Sequence, residues 1–191
     1  SRFLGILGTP RDHPGGCGSV SRGMGGQEKK RVFSYFVLHL QKFQERNPEA
    51  KGKSKLLLHT HFAEGWDIPK LASEYGVSMD EILTTYFCRG CKGYSVKPFT
   101  GQDQRCTLCG HENGLITTNT ADGVTEKQLN EVYNLMDVYA HPFTSGGQEI
   151  PIQEAKLAEL ITLVTNYSCG EEMCEPDAES LALDFTEYRE H

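Results

Sequence analysis

The sequence predicts an α/β fold: a parallel sheet flanked by helices, interrupted by one small cysteine-bearing insertion. Three observations carry this expectation. Apolar runs of strand length alternate with amphipathic helical stretches. A strand–helix–strand unit opens the chain, the signature of parallel pairing. Two Cys-x-x-Cys pairs interrupt the alternation once.

Phe3 to Leu7 is a short buried strand. Residues 8–30 are Gly-rich, with Pro10 and Pro14, and read as a loop. Phe33, Phe36, Val37, Leu40 and Phe43 recur at helical spacing, and Asn47-Pro48 ends that helix. Lys55 to Thr60 is a second buried strand. Asp67 to Tyr75 is a short helix stopped by Gly76. Ser78 and Glu81 form a capping-box pattern, as do Thr125 and Gln128. The second box opens a helix carrying Leu129, Val132, Tyr133 and Met136. Asp137 to Phe143 is a strand, and Pro151 suits the first turn of a helix reaching Leu160. Ile161 to Thr165 is a further strand.

The chain has 191 residues, 38% apolar, 24% charged and 9% aromatic, which excludes a disordered or fibrous chain. No run approaches the roughly 20 apolar residues that span a bilayer. No signal segment is visible, so a cytoplasmic location is expected. Ser1 to Leu7 reads as a strand already under way, so a piece of a longer protein is expected. The net charge is −7, with +7 in residues 1–55 and −14 in residues 56–191. A chain of this balance does not coat nucleic acid. Its basic first third suits a small phosphorylated ligand or, equally, a solvated surface.

Four of the seven cysteines form the pattern Cys88-x-x-Cys91, fourteen residues, Cys106-x-x-Cys109. Each pair grips one face of a tetrahedral ion, and two pairs close the site with no position for water. The expected ion is structural zinc, and the segment resembles a zinc ribbon. The alternatives are disulfides, free thiols or rubredoxin-like iron. Gly93 and Gly110 are placed to form the tight turns behind each pair. About 35 residues, 84–118, build no core alone, so the metal supplies their folding energy. The insert is expected to stand remote from any ligand site. Cys17, Cys169 and Cys174 read as free structural thiols. His59 and His61 alternate along a strand end, as site residues or as a satisfied polar end.

Asp137-Val138-Tyr139-Ala140-His141-Pro142-Phe143 runs into Thr144-Ser145-Gly146-Gly147-Gln148-Glu149-Ile150-Pro151-Ile152-Gln153-Glu154-Ala155. Small residues at the turn allow a close backbone approach to a ligand. The helix N-terminus offers N–H groups and a positive dipole end to a diphosphate. The segment resembles the C-terminal nucleotide-sugar-binding domain of GT-B glycosyltransferases of the glycosyl transferase group 1 type. That family carries an Asp-Val strand ending in Pro, then Ser-Glu-Gly-Phe-Gly-x-Pro-x-x-Glu-Ala. The close match covers about residues 125–168, and the opening strand–helix–strand unit agrees more loosely.

The resemblance implies a Rossmann-like parallel sheet, one half of a GT-B fold, with residues 1–83 and 119–191 as the two parts of the donor domain around the 84–118 zinc-ribbon-like insert. It implies a nucleoside-diphosphate sugar as donor and retaining transfer. The acceptor site would lie on an N-terminal domain, leaving this chain inactive alone. Glu154 inherits the ribose-binding role, and Ser145, Gly146, Gly147, Gln148 and Glu149 line the donor site. The family's first Glu falls on Gly146, and Glu149 stands three residues later. Arg22 and Lys30 are nearest to the family's basic pair on the pyrophosphate, with Lys29 and Arg31 competing. The rival reading is a zinc-ribbon binding module for protein or nucleic acid, which a basic, aromatic face on the insert would favour.

Overall fold

The computed structural model describes residues 2–8, 26–60, 67–119, 121–141, 149–166, 169–173 and 180–183. In chain order they form β1 (Arg2–Gly8), α1 (Gly26–Arg46), β2 (Ser54–Thr60), α2 (Ile68–Glu74), β3 (Ile82–Cys88), β4 (Tyr94–Pro98) and β5 (Leu115–Thr117). There follow α3 (Glu126–Tyr133), β6 (Val138–His141), α4 (Ile150–Leu157), β7 (Ile161–Thr165), α5 (Cys169–Met173) and β8 (Ser180–Leu183).

The sheet runs β4-β3-β2-β1-β6-β7-β8, with β5 also paired to β3. Its six strands β3, β2, β1, β6, β7 and β8 are mutually parallel. From β1 the chain steps outward through β2 to β3, then returns to the other side of β1 and steps outward again through β8. This is the doubly wound Rossmann order, and its direction reverses between β1 and β6.

Both faces of the sheet are covered, so its central strands are apolar on both sides. Leu56 and Leu58 of β2 face one way and pack with Phe36, Val37 and Leu40 of α1 and Ile68 and Ala72 of α2. Leu57 faces the other way, with Leu129, Val132 and Tyr133 of α3 and Ile152 and Ala155 of α4. The three consecutive leucines thus serve two cores through the period-two alternation of a strand.

Several local expectations are corrected. Residues 79–81 form a single 3-10 turn, with Ser78 accepting from the Asp80 N–H at 3.3 Å. Glu81 does not close a capping box there. Its buried carboxylate takes the Gly52 N–H at 2.7 Å and Gln44 Nε2 at 3.1 Å, because a buried carboxylate requires donors. Met136 lies past the end of α3, and α4 stops at Leu157, short of Leu160. Glu159 is left-handed, with φ 58, and the Leu160 N–H bonds back to the Ala155 carbonyl at 3.1 Å. That Schellman closure turns the chain early and drops Leu160 into the core. The same closure ends α2, where Gly76 takes φ 64 as expected. The strand expected over residues 137–143 is β6 as far as His141; Pro142 and Phe143 lie outside the described residues. Helix α5 and strand β8 were not anticipated.

The start of the insert expected at residue 84 falls inside β3, where Thr84 pairs with Leu58 of β2. One edge of β3 pairs with β4 over Leu83–Phe87. On the other edge β2 covers Ile82–Thr84 and β5 covers Tyr86–Cys88. Strand β3 therefore runs on past its parallel partner and becomes the middle of an antiparallel ribbon. The cysteine lobe is an outgrowth of the sheet at its carboxyl end, the end at which open parallel sheets bind ligands.

Candidate metal centre and the carboxyl end of the sheet

Two backbone turns of the same design present the four cysteines. In the first, the Cys88 N–H bonds to the Gly93 carbonyl at 2.8 Å and the Lys92 N–H to the Cys88 carbonyl at 2.9 Å. In the second, the Cys106 N–H bonds to the His111 carbonyl at 3.0 Å and the Gly110 N–H to the Cys106 carbonyl at 2.9 Å. The residue after each second cysteine is left-handed, Lys92 at φ 60 and Gly110 at φ 73. Gly110 is the turn residue expected, but in the first turn that position is Lys92 and not Gly93. Gly93 is small for another reason: a Cβ there would stand 2.7 Å from Leu108 Cδ1.

The Sγ atoms of Cys88, Cys91, Cys106 and Cys109 all lie within 4.8 Å of one another. Cys88 and Cys109 are 3.7 Å apart, and Cys91 and Cys106 are 3.9 Å apart. A disulfide needs about 2.05 Å, and all four are free thiols. A tetrahedral thiolate site with bonds of about 2.3 Å has sulfur–sulfur edges of about 3.8 Å, so the group can hold a metal ion. The backbone N–H of Cys109, joined by that of Leu108, pulls the Cys106 thiol down to about 7. The His111 N–H favours the Cys109 thiolate, but desolvation and the neighbouring sulfurs outweigh it and push that thiol up to about 11. Cys88 and Cys106 are buried with Tyr86 and Leu115, and Phe99 stacks on Tyr86. The lobe's small core is thus built around two of the ligands.

The lobe shows no free basic face among its described arginines. Arg89 pairs with Asp122 at 2.9 Å and Arg105 with Glu112 at 3.2 Å. Lys97 donates to Gln104 and lies over the Tyr86 ring.

Glu154 sits one turn into α4, with Pro151 in the first turn as expected. Its Oε2 accepts the Tyr133 hydroxyl at 2.8 Å. Glu149 is the N-cap residue of α4, but its side chain makes no cap hydrogen bond. It turns back instead to His141 Nε2 at 3.3 Å, and the Tyr139 hydroxyl bonds His141 Nδ1 at 2.8 Å. Glu149 and Glu154 are thus brought to one helix start beside the end of β6. Ser145, Gly146, Gly147, Gln148 and Arg22 lie outside the described residues, as do His61, Cys17 and Cys174. Lys30 lies on α1, along with Lys29 and Arg31, and Cys169 opens α5. His59 is buried, with Nδ1 3.0 Å from Thr85 Oγ1, the satisfied strand end among its two readings.

The insert is joined to α3, whose far end meets this helix start. Gln128 Nε2 of α3 donates to the Lys92 carbonyl of the first cysteine turn at 3.1 Å. The Tyr94 hydroxyl of β4 donates to Glu131 of α3 at 2.5 Å. The same helix carries Tyr133, the partner of Glu154.

No protein-family model and no curated protein matches the chain. Solved structures of similar outline include trehalose-6-phosphate synthases. One, a trehalose-6-phosphate synthase, is 10% identical with a TM-score of 0.45, over 95% of this chain and 32% of that one. An alpha,alpha-trehalose-phosphate synthase (UDP-forming) from Burkholderia vietnamiensis is 7% identical with a TM-score of 0.43, over 95% and 34%. A third trehalose-6-phosphate synthase is 12% identical with a TM-score of 0.40, over the same shares. The chain spans about a third of the length of each.

Sequence reasoning missed Tyr133, Tyr139 and His141 as partners of the two carboxylates. Tyr133 reads from the sequence as a core residue of its helix, and its ring is one, at 3% exposure. Only its hydroxyl reaches the helix start. The alternation of Tyr139 and His141 on one strand face was the available signal.

Proposed function

We propose that this chain is the donor half of a GT-B glycosyltransferase, binding a nucleoside-diphosphate sugar and transferring its glycosyl group with retention. The observation that carries the proposal is the place of Glu154. It stands one turn into the helix that follows β6, beside the point where the strand order reverses between β1 and β6. Ligands of doubly wound sheets bind at that crevice. A carboxylate held by the Tyr133 hydroxyl keeps acceptor capacity for the two ribose hydroxyls. The N–H groups opening α4 suit the diphosphate, and with Lys30 and Arg22 they would stabilise its developing charge. Ser145 to Gln148 would form the turn against the phosphates, and Glu149 would hold that turn to His141. The acceptor would be bound by a separate N-terminal domain.

Zinc is the ion proposed for Cys88, Cys91, Cys106 and Cys109. An all-thiolate tetrahedral set suits it and leaves no open position, so its role is structural. Elemental analysis of protein purified without added metal should find one zinc per chain. Little zinc with four titratable thiols in this segment would overturn that assignment.

The nucleotide reading is tested by ligand-observed NMR with UDP, ADP and GDP. Glu154→Ala should weaken the nucleotide that binds by roughly 1.5–3 kcal/mol for each charge-assisted bond lost. A 2′,3′-dideoxy analogue should be insensitive to the change. Equal losses for both nucleotides would remove the ribose role from Glu154.

A further inference from the structure

Helix α3 touches both sites. At its start, Gln128 accepts the Thr125 N–H at 2.9 Å with its oxygen and donates its Nε2 to the Lys92 carbonyl at 3.1 Å. Lys92 is the left-handed residue directly after Cys91. Three residues on, Glu131 accepts the Tyr94 hydroxyl. At the far end Tyr133 donates to Glu154 at 2.8 Å. An α-helix rises 1.5 Å per residue, so the five steps from Gln128 to Tyr133 advance about 7.5 Å along the axis.

Tyr133 cannot move independently of its helix. Its ring is 3% exposed and packs edge-on to Tyr139, with centroids 6.0 Å apart. A shift of α3 therefore carries the hydroxyl with it. The other end of the helix is held by a turn whose shape depends on its ligands. A left-handed lysine is strained and persists only where its surroundings impose it. The Cys88 N–H to Gly93 carbonyl and Lys92 N–H to Cys88 carbonyl bonds hold it here, and a metal ion among the four sulfurs would add to that hold. Loss of the ion would loosen the turn, weaken the Lys92 carbonyl's bond to Gln128 and so the outside anchor of the capping box.

We propose that α3 sets the position of Glu154 according to whether the cysteine cluster holds its metal, with Tyr133 as the positioning residue. The nature of the ligand rests on the nucleotide reading above; the coupling itself does not.

Hydrogen exchange on the whole chain tests the coupling without a ligand. The protein is compared as purified with metal and after stripping by a chelator under reducing conditions. Exchange in residues 126–133 and 150–157 should rise by at least about tenfold, while residues 36–46 and 68–74 on the opposite face change by less than about twofold. A rise confined to residues 84–118, or equal on both faces, overturns the proposal. Metal-loaded Gln128→Ala/Tyr94→Phe should raise exchange in residues 150–157 with the cysteines intact. Tyr133→Phe, which keeps the ring, should do the same, and unchanged exchange in either variant overturns the proposal. A second arm reads the ligand. Tyr133→Phe should weaken the bound nucleoside diphosphate by at least about threefold and leave its dideoxy analogue unaffected. Equal losses reduce Tyr133 to a packing role. If UDP, ADP and GDP all fail to bind the metal-loaded wild type, the nucleotide reading falls and the exchange arm still decides the coupling.

Discussion

His141 Nε2 and Glu149 Oε2 lie 3.3 Å apart, with both side chains only 14% exposed. One residue ends β6 and the other precedes α4, so the pair joins a strand end to a helix start. An N-cap side chain ordinarily accepts from the first free N–H groups of its helix. Glu149 gives that up and spends its carboxylate on the imidazole, whose other nitrogen meets the Tyr139 hydroxyl.

Glu149→Ala should therefore destabilise the chain by about 1–3 kcal/mol, since it takes the carboxylate away from Nε2 of a largely buried imidazole. Glu149→Ser should lose less, because serine restores a local cap worth about 1 kcal/mol. Urea titration of the three proteins checks the order. A Glu149→Ala midpoint equal to that of the wild type would show that the pair contributes nothing.

Glu159 closes α4 in a left-handed conformation, a position at which glycine has no Cβ penalty. Glu159→Gly should stabilise the chain by about 0.5–1 kcal/mol, the left-handed strain relieved less the added freedom of the unfolded chain. Its side chain is exposed, so no packing is lost. Thermal midpoints compare the two directly, and a lower midpoint for the glycine variant would mean that the surrounding closure already absorbs the strain.

This residue also shows where the sequence stops being legible. Elements whose ends carry a chemical signal were readable: Gly76 ends α2, Thr125 and Gln128 cap α3, and Pro151 opens α4. The α4 terminus carries no glycine, and the Schellman closure on Glu159 left no trace to read. The cysteine spacing announced a cluster, because four thiolates have few other reasons to recur in that pattern. It did not announce that Cys88 would cap a strand of the main sheet, since strand pairing is a long-range choice without local period. Tyr133 and Glu154 are 21 residues apart and His141 and Glu149 are 8 apart. Each pair is made by the winding order of the sheet, which no single segment encodes.

Glu81 carries a heavier structural role than its place in a short turn suggests. It is 6% exposed and receives Gly52 N–H and Gln44 Nε2, so it ties α1 and the approach to β2 to the foot of β3. Glu81→Ala should leave the Gly52 N–H unpaired and Gln44 Nε2 with only its 3.0 Å bond to Ser54 Oγ, and cost about 2–4 kcal/mol. Glu81→Gln keeps an acceptor oxygen and should cost less. Guanidinium unfolding separates the two variants, and equal costs would show that the charge, not the acceptor, matters.

Tyr94 supplies a pH signature for the joint between the cysteine lobe and α3. Burial, with the hydrogen bond to Glu131 and its negative charge, pushes the phenol up from 10.0 to about 12. The folded state thus holds its proton more tightly than the unfolded chain does. The associated stability is fully present below pH 10 and is lost as pH rises through about 12. Between those limits the wild type should lose stability more steeply than Tyr94→Phe, whose ring has no proton to give up. Below pH 10 the two curves should run parallel, with the wild type above. Thermal midpoints at intervals across this range test it on protein with the same metal content. If the two slopes agree above pH 10, the Tyr94–Glu131 bond is not formed in solution and α3 is held to the lobe by Gln128 and by apolar packing.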